Sequence, residues 1–357
     1  MGLMELYYYI GNFCRKFVVF IMFDHILSKP PSSDECDATE ISKEVLHLME
    51  ASLAPRTLEA YHAEWERLSK WLNGRPISDE LLAEYLATLY ANGLSPASIS
   101  MVLATVRCVC RLADQQPPMG SMTSRVMGGI RRKGRGRGRG QVAPIRFKDA
   151  DRLISSIETE TSPSSLEAAA RDAALISTMS DGMLRVSELI AVRWRHLYWE
   201  YDGSGRLMIP VSKSDQEGHG AVLYLGPPTV DRLQKWDKMQ RNVVTDDHED
   251  FVFTGIRRGG SIQTKPLTRQ SVRRMIVRHA LQYLPELFHK DQDGRMKGGA
   301  SSHSFRIGSA QSLARRGATL PQLQTAGRWK SPSMPASYCR NEEAGTGAMA
   351  RLRYGRE

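Results

Sequence analysis

Paired cysteines are missing from this chain of 357 residues. It has five cysteines, none of them in a CxxC pair. Cys108 and Cys110 stand two residues apart, so on a helix they would point to different faces. We therefore expect reduced thiols, as in a cytosolic protein, and neither a disulfide framework nor a zinc site.

An uninterrupted apolar run of membrane length is also missing. Residues 6–27 are largely apolar, but Arg15 and Lys16 interrupt them, and the longest uncharged pieces are too short to span a bilayer. No basic segment followed by a small-residue cleavage site marks a secretory signal. We expect no membrane partner. Residues 1–40 are interpreted as a flexible extension, with an upstream start codon and initiation at Met22 as the alternative.

Acidic clusters and a glycine-rich phosphate loop are lacking as well. Such features hold divalent cations or nucleotides, so we expect no metal ion, no cofactor and no ATP. Positive charge is in excess, because 49 Lys and Arg stand against 39 Asp and Glu, a net charge of +10. This excess indicates a polyanionic partner. Charge alone does not choose between DNA, RNA and an anionic membrane surface.

Apolar periodicity predicts a helical bundle over residues 41–130. Gly74 with Pro76 ends the first helix, Gly93 ends the second, and Ser95 followed by Pro96 is typical of the start of a third. The first helix has one apolar stripe at spacings of three and four, formed by Leu58, Tyr61, Trp65, Leu68 and Leu72.

The second predicted domain, residues 145–357, mixes helices with a small sheet. Two strand-like runs, GRLMIPV at 205–211 and AVLYL at 221–225, flank a turn-rich segment and predict a hairpin with Lys213 at its tip. A helix is predicted through VSELIAVRW at 186–194. The fold class expected is mainly α with a small β-sheet, in two domains.

Residues 131–144 are predicted to link these domains. The stretch RRKGRGRGRG has six cations and four glycines among ten residues, so it should not fold alone. It is either a solvated spacer or a strap along DNA phosphates. In the second case its arginines bind DNA: Arg131, Arg132, Arg135, Arg137 and Arg139.

Five residues of the second domain together suit attack on a phosphodiester. Two guanidinium forks match phosphate oxygens and offset the charge that builds in the transition state. A tyrosine forms a reversible ester, a lysine on a mobile hairpin can protonate the leaving 5′ oxygen, and a histidine can donate or exchange a proton. The candidates are Arg185, Lys213, His303, Arg306 and Tyr338.

The order Arg, Lys, His-x-x-Arg, His or Trp, then Tyr resembles the tyrosine recombinase (phage integrase) family. Most members have histidine at the fifth of these positions, and one branch has tryptophan there. Trp329 and the tail TGAMARL at 346–352 resemble that branch. Glu188 stands in the family's supporting position beside Arg185. The resemblance is specific over residues 165–352 and holds in outline over residues 41–140.

The resemblance implies a core-binding, SAM-like N-terminal bundle and an α+β catalytic domain that form a clamp around duplex DNA. Tyr338 would form a 3′-phosphotyrosine, and strand exchange would pass through a Holliday junction between two inverted-repeat sites. A homotetramer would assemble through a helix near residues 345–352, without an accessory protein. A cytoplasmic, nucleoid-associated protein of bacterial, phage or plasmid origin is expected.

The resemblance also implies two DNA-binding arginines in the second domain. Arg269 falls where relatives read a guanine in the major groove, with a phosphate contact as the alternative, and Arg295 resembles a phosphate contact. Val272 replaces an acidic residue of the tryptophan-bearing branch, which suggests a different target sequence.

Two alternatives use the same residues for another task. A type IB topoisomerase would use a similar site to relax one duplex, and a non-catalytic DNA-binding protein would keep the fold alone. The TGAMARL tail favours recombination over the first, and the intact set of six residues favours catalysis over the second. Sequence leaves the acceptor of the Tyr338 proton open between His303 and Lys213.

Overall fold

The structure is a computed structural model. It describes residues 53–112, 115–138, 142–159, 166–210, 220–241, 250–257, 260–290 and 296–340. Several predicted features lie outside these ranges: the extension 1–40, the helix near 345–352, Arg139, Lys213 and Arg295. The chain divides into two compact units, Met1–Gly138 and Arg139–Glu357.

The described part of the N-terminal unit folds into four helices. Trp65, Leu68 and Leu72 of the predicted stripe are buried, and Leu58 and Tyr61 are half-buried. The three buried residues pack with apolar residues of the other helices in one core, which confirms the predicted bundle over this part. The helices are α1 (Pro55–Leu72), α2 (Asp79–Ala91), α3 (Pro96–Leu112) and α4 (Ser121–Lys133).

Helix α4 extends further than the sequence suggested. The stretch from residue 131 was expected not to fold, but Arg131 and Arg132 lie in the last turn of α4, which ends at Lys133. Ile130 is buried in the bundle core and anchors this turn, so packing overrides the repulsion among the cations. The glycine-rich stretch begins only at Gly134.

The described part of the C-terminal unit has eight helices, which pack in a large apolar core and in a smaller cluster that includes Leu323, Trp329 and Cys339. The central helix, α6, is buried along nearly its whole length. The helices are α5 (Phe147–Thr159), α6 (Leu166–Gly182), α7 (Val186–Leu189), α8 (Pro227–Arg241), α9 (Arg269–Tyr283), α10 (Ser302–Arg315), α11 (Leu320–Gly327) and α12 (Ser333–Cys339).

Small antiparallel sheets complete this unit. The predicted hairpin strands pair in register, with Leu207 opposite Leu223 on the buried face. The mainly helical fold with a small sheet is therefore confirmed. The strands are β1 (Leu197–Trp199), β2 (Gly205–Ile209) and β3 (Ala221–Leu225) in one sheet, β4 (Thr254–Ile256) with β5 (Ile262–Pro266), and β6 (Phe288–Lys290) with β7 (Met296–Gly298).

The helix predicted through residues 186–194 is wrong beyond its first turn. Helix α7 ends at Leu189, and Trp194 begins a short 3-10 turn. The backbone around Arg193 instead pairs with that around Phe251, and the Trp194 indole donates to Gln240 at 3.0 Å. These partners are distant in sequence, so local propensity could not reveal them.

No helix within the described ranges is both long and apolar enough to cross a membrane.

Candidate active site

Tyr338 lies near the end of α12 and is held from several sides. Its hydroxyl is 2.9 Å from Nε2 of His303, and its ring centroid is 5.8 Å from that of Trp329. The Gln311 side chain donates to the Tyr338 backbone carbonyl at 3.0 Å. The side chain is half-buried, so these contacts orient the tyrosine while part of its side chain stays exposed.

Helix α10 supplies the predicted histidine and the second arginine. Ser301 caps the helix and its hydroxyl accepts the backbone N–H of His303 at 3.1 Å. His303 in the first turn is exposed, whereas Arg306 one turn later is 1% exposed. Gly308 lets α10 approach the chain at Ile145, because a Cβ there would lie 1.8 Å from the Ile145 carbonyl oxygen.

The Arg306 guanidinium is fixed by backbone carbonyls and an aromatic face. It donates to the carbonyls of Met183 and Gly327 and lies 4.6 Å from the Trp329 ring centroid. Met183 has a φ of 46°, which is uncommon for a residue other than glycine. Gly327 is required by packing, since a Cβ would meet the Trp329 ring at 1.9 Å.

Arg185 precedes α7 and pairs with a glutamate of that helix. Its guanidinium contacts Oε1 of Glu188 at 2.7 Å, and its backbone N–H donates to Oε2 at 2.9 Å. The Glu188 side chain is 2% exposed, and that of Arg185 is 23% exposed. The carboxylate therefore stands behind an arginine that still reaches the surface.

Sequence reasoning missed Arg328. Its guanidinium contacts Oε2 of Glu188 at 2.8 Å and donates to the Gly182 carbonyl at 2.9 Å. In sequence it is only an arginine before Trp329, and its partner Glu188 lies 140 residues away. No local pattern marks such a contact.

Burial and the charges of neighbouring residues set the protonation states of these groups. Burial alone would raise the pKa of Glu188, but Arg328 and Arg185 lower it below its usual value, so the carboxylate is ionised. Burial, with the nearby charges of Arg185 and Arg328, lowers the pKa of Arg306 to about 9. Arg306 therefore remains a cation at neutral pH.

His303 and Tyr338 are uncharged at neutral pH. Loss of hydration among neighbouring side chains lowers the pKa of His303, and the charges of Arg306 and Arg185 lower it further. Burial raises the pKa of Tyr338, while the same two arginines act in the opposite direction. A neutral imidazole thus lies within hydrogen-bond distance of a phenol that must lose its proton to attack.

Six of the seven residues predicted for catalysis are described, and the structure brings them together. They are Arg185, Glu188, His303, Arg306, Trp329 and Tyr338. Lys213 lies in the segment 211–219, outside the described residues. Within the described ranges, no group of three His, Cys, Asp or Glu residues could hold a metal ion.

The described arginines predicted to bind DNA lie outside this cluster. Arg269 is the exposed first residue of α9, and Arg131, Arg132 and Arg135 are exposed at and after the end of α4. Arg137 packs within its own unit, 3.8 Å from the Tyr90 ring centroid. Val272 is fully buried in the core, so its side chain cannot reach a base, and the expectation of a different target sequence stays a prediction.

Comparison with known proteins agrees with this geometry. The model of the phage integrase family matches residues 144–344, and that of its N-terminal SAM-like domain matches residues 45–116. Recombinase cre of Escherichia phage P1 is 27% identical over 305 residues, which are 81% of this chain and 83% of that protein.

Solved structures share the fold. The XerH site-specific recombinase bound to palindromic difH substrate has a TM-score of 0.61 at 16% identity, over 95% of this chain and 94% of that one. The Tn1549 transposon integrase in complex with transposon right end DNA has a TM-score of 0.58 at 14% identity, over 91% and 94%. The predicted resemblance is confirmed: the chain belongs to the phage integrase family and is a tyrosine site-specific recombinase.

Proposed function

We propose that the protein recombines duplex DNA at specific sites in the manner of Cre, with Tyr338 as the nucleophile. The observation that carries this proposal is the 2.9 Å contact between the Tyr338 hydroxyl and Nε2 of His303, beside Arg185 and Arg306. A phenol with a base at hydrogen-bond distance and two cations nearby is equipped to attack a phosphate.

The two arginines would bind the scissile phosphate. A guanidinium presents a planar fork that matches the non-bridging oxygens, and its positive charge offsets the charge of the transition state. Arg306 is fixed by two carbonyls and the Trp329 ring, and Arg185 by Glu188. Because protein contacts orient both groups in advance, little reorganisation is needed when the phosphate arrives.

Protons would move in opposite directions on the two sides of the phosphorus. The Tyr338 proton passes to Nε2 of neutral His303 while the phenol oxygen bonds to phosphorus. The bond from phosphorus to the 5′ oxygen breaks, and Lys213 protonates that oxygen. The products are a 3′-phosphotyrosine and a free 5′-hydroxyl, so the ester conserves the energy of the cut strand without ATP or metal.

Exchange would follow between two inverted-repeat sites held by four protomers. The free hydroxyl attacks the phosphotyrosine of the partner duplex, which gives a Holliday junction, and a second round resolves it. The relative in complex with a palindromic substrate supports a site with inverted repeats. A helix near residues 345–352 would dock into the neighbouring protomer and close the ring.

Helix α9 would read the site in the major groove. Arg269, Arg273, Arg274 and Arg278 are exposed along it, and arginine bidentate to guanine is the commonest specific contact. The arginines at and after the end of α4, with Arg139, would contact phosphates.

Trapping of a covalent intermediate tests this proposal. Tyr338→Phe, which cannot form the ester, would enrich a site from a random duplex library. A duplex carrying that site with a nick near the cut position should then accumulate a covalent adduct with the unaltered protein and none with Tyr338→Phe. Tyr224→Phe, at an exposed tyrosine of β3, is the control and should form the adduct normally.

Three results would contradict the proposal. An adduct with Tyr338→Phe would place the nucleophile elsewhere, and no adduct with the unaltered protein on its bound site would leave only DNA binding. Efficient relaxation of a supercoiled plasmid that lacks the site would instead favour a topoisomerase.

A further inference from the structure

Arg328 occupies a backbone position that suits glycine better than arginine. It ends α11 with φ 54° and ψ 46°, in the left-handed region. Glycine adopts this conformation without steric cost, whereas a residue with a Cβ does not. An arginine here is favourable only when contacts of its side chain offset that cost.

The Arg328 side chain makes such contacts with a distant part of the chain. One terminal nitrogen donates to the Gly182 carbonyl at the end of α6, at 2.9 Å. The other contacts the Glu188 carboxylate in α7 at 2.8 Å. The side chain is only 10% exposed. It therefore joins the end of α11, directly before Trp329, to the segment that carries Arg185.

Glu188 is shared between two arginines. Its Oε1 accepts from the Arg185 guanidinium, and its Oε2 accepts from both Arg328 and the Arg185 backbone N–H. With one arginine on each oxygen, rotation of the carboxylate would break both pairs. The position of Arg185 thus depends on a carboxylate whose other oxygen is held by Arg328.

We propose that Arg328 is a positioning residue that presents Arg185 to the scissile phosphate by fixing the Glu188 carboxylate. This inference rests on the proposed function, in which Arg185 binds that phosphate. Arg328 itself is not the phosphate ligand, because both of its terminal nitrogens donate to buried protein acceptors. A protein without Arg328 keeps its nucleophile and both phosphate ligands, but one of these ligands, Arg185, is misplaced.

A double-mutant cycle tests the route through Glu188. Arg328→Gly removes the side chain and suits the left-handed backbone. In the otherwise unaltered protein we expect it to slow adduct formation on the nicked site about 100-fold, the effect of misplacing a reacting group by about 1 Å. In a Glu188→Gln background, where Arg185 has already lost its charged partner, the same change should slow the reaction less than about threefold.

Equal rate losses in the two backgrounds would overturn the proposal, since they would indicate a general structural role or a direct contact with DNA. An unchanged rate for Arg328→Gly would overturn it as well. Arg328→Lys supplies a second variant: its single ammonium lacks the guanidinium fork that reaches both Glu188 and the Gly182 carbonyl, so an intermediate rate is expected. Should Arg328→Gly not fold, the cycle is run with Arg328→Lys and the same criterion.

A matched control separates the backbone effect from the side-chain effect. Asn73 also ends a helix in the left-handed region, with φ 49°, in the N-terminal unit. Asn73→Gly should leave the rate of adduct formation unchanged. If the unaltered protein forms no adduct, the proposed function fails. If it forms one and Arg328→Gly matches its rate, only the role of Arg328 fails.

Discussion

His303 is the residue whose protonation should govern the rate of strand cleavage. Its lowered pKa, caused by desolvation and by Arg306 and Arg185, favours the neutral base. The rate of adduct formation should therefore rise as pH rises through the pKa of His303, which lies below the ordinary value of about 6.5, and should level off near neutrality. Single-turnover rates from about pH 5 to 8 measure this.

Replacement of the imidazole checks the assignment. His303→Asn should slow adduct formation by about 100-fold or more and abolish the acidic limb of the profile. His289→Asn, at an exposed histidine of β6, should leave both unchanged. Retention of the acidic limb in His303→Asn would assign it to another group.

The residues proposed for catalysis differ in how far the sequence could predict them. His303 and Arg306 were predictable because a spacing of three on a helix places two side chains on one face. Arg185 precedes α7 in extended backbone, so its ion pair with Glu188 does not follow from helical spacing. Arg328 was not predictable from the sequence, because its contact with Glu188 depends on how α11 packs near α7.

Among the elements, amphipathic helices were the most predictable. The stripe of α1 and the start of α3 follow from local chemistry, and Ser95 accepts the backbone N–H of Ser98 at 3.2 Å as a capping serine should. The early end of α7 was not predictable, because it results from pairing between residues near 193 and 251. The helical last turn of α4 depends likewise on burial of Ile130.

The start of α4 depends on a carboxylate of another helix. Asp79 in α2 accepts the backbone N–H groups of Gly120, Met122 and Thr123 at 2.7 to 3.0 Å. Hydrogen bonds from Thr123 and these backbone groups lower the pKa of Asp79 to about 2. Because the folded-state pKa is depressed, the stabilisation is present above the unfolded-state value of about 3.9 and is lost as pH falls toward 2.

Asp79→Ala should therefore lower the midpoint of thermal unfolding of the full chain at neutral pH, since it leaves backbone donors at the start of α4 without their acceptor. Between pH 4 and 2 the variant should lose less stability than the unaltered protein. Circular dichroism at several pH values measures both. Glu80→Gln, at the exposed next position, is the control, and an equal loss in that variant would argue against the capping role.

For the whole molecule, the distribution of positive charge matters more than its sum. The net charge of +10 includes arginines already engaged within the protein, such as Arg137, which donates to the Tyr90 carbonyl at 2.6 Å. Arg131, Arg132 and Arg135 are exposed, and Arg139 follows them in sequence. Those four are the side chains proposed to contact DNA phosphates.

Serine at these four positions should weaken binding and reduce its dependence on salt. Each phosphate contact contributes about 0.9 to the slope of log affinity against log salt concentration, because neutralised phosphates release counterions. The slope should therefore become shallower by up to about four such increments, as measured by titration of a fluorescent site duplex at several salt concentrations. Lysine at the same four positions keeps the charge and should retain the slope. An unchanged slope in the serine variant would indicate that this stretch is a solvated spacer. The affinity for DNA would then come from the exposed arginines of α9.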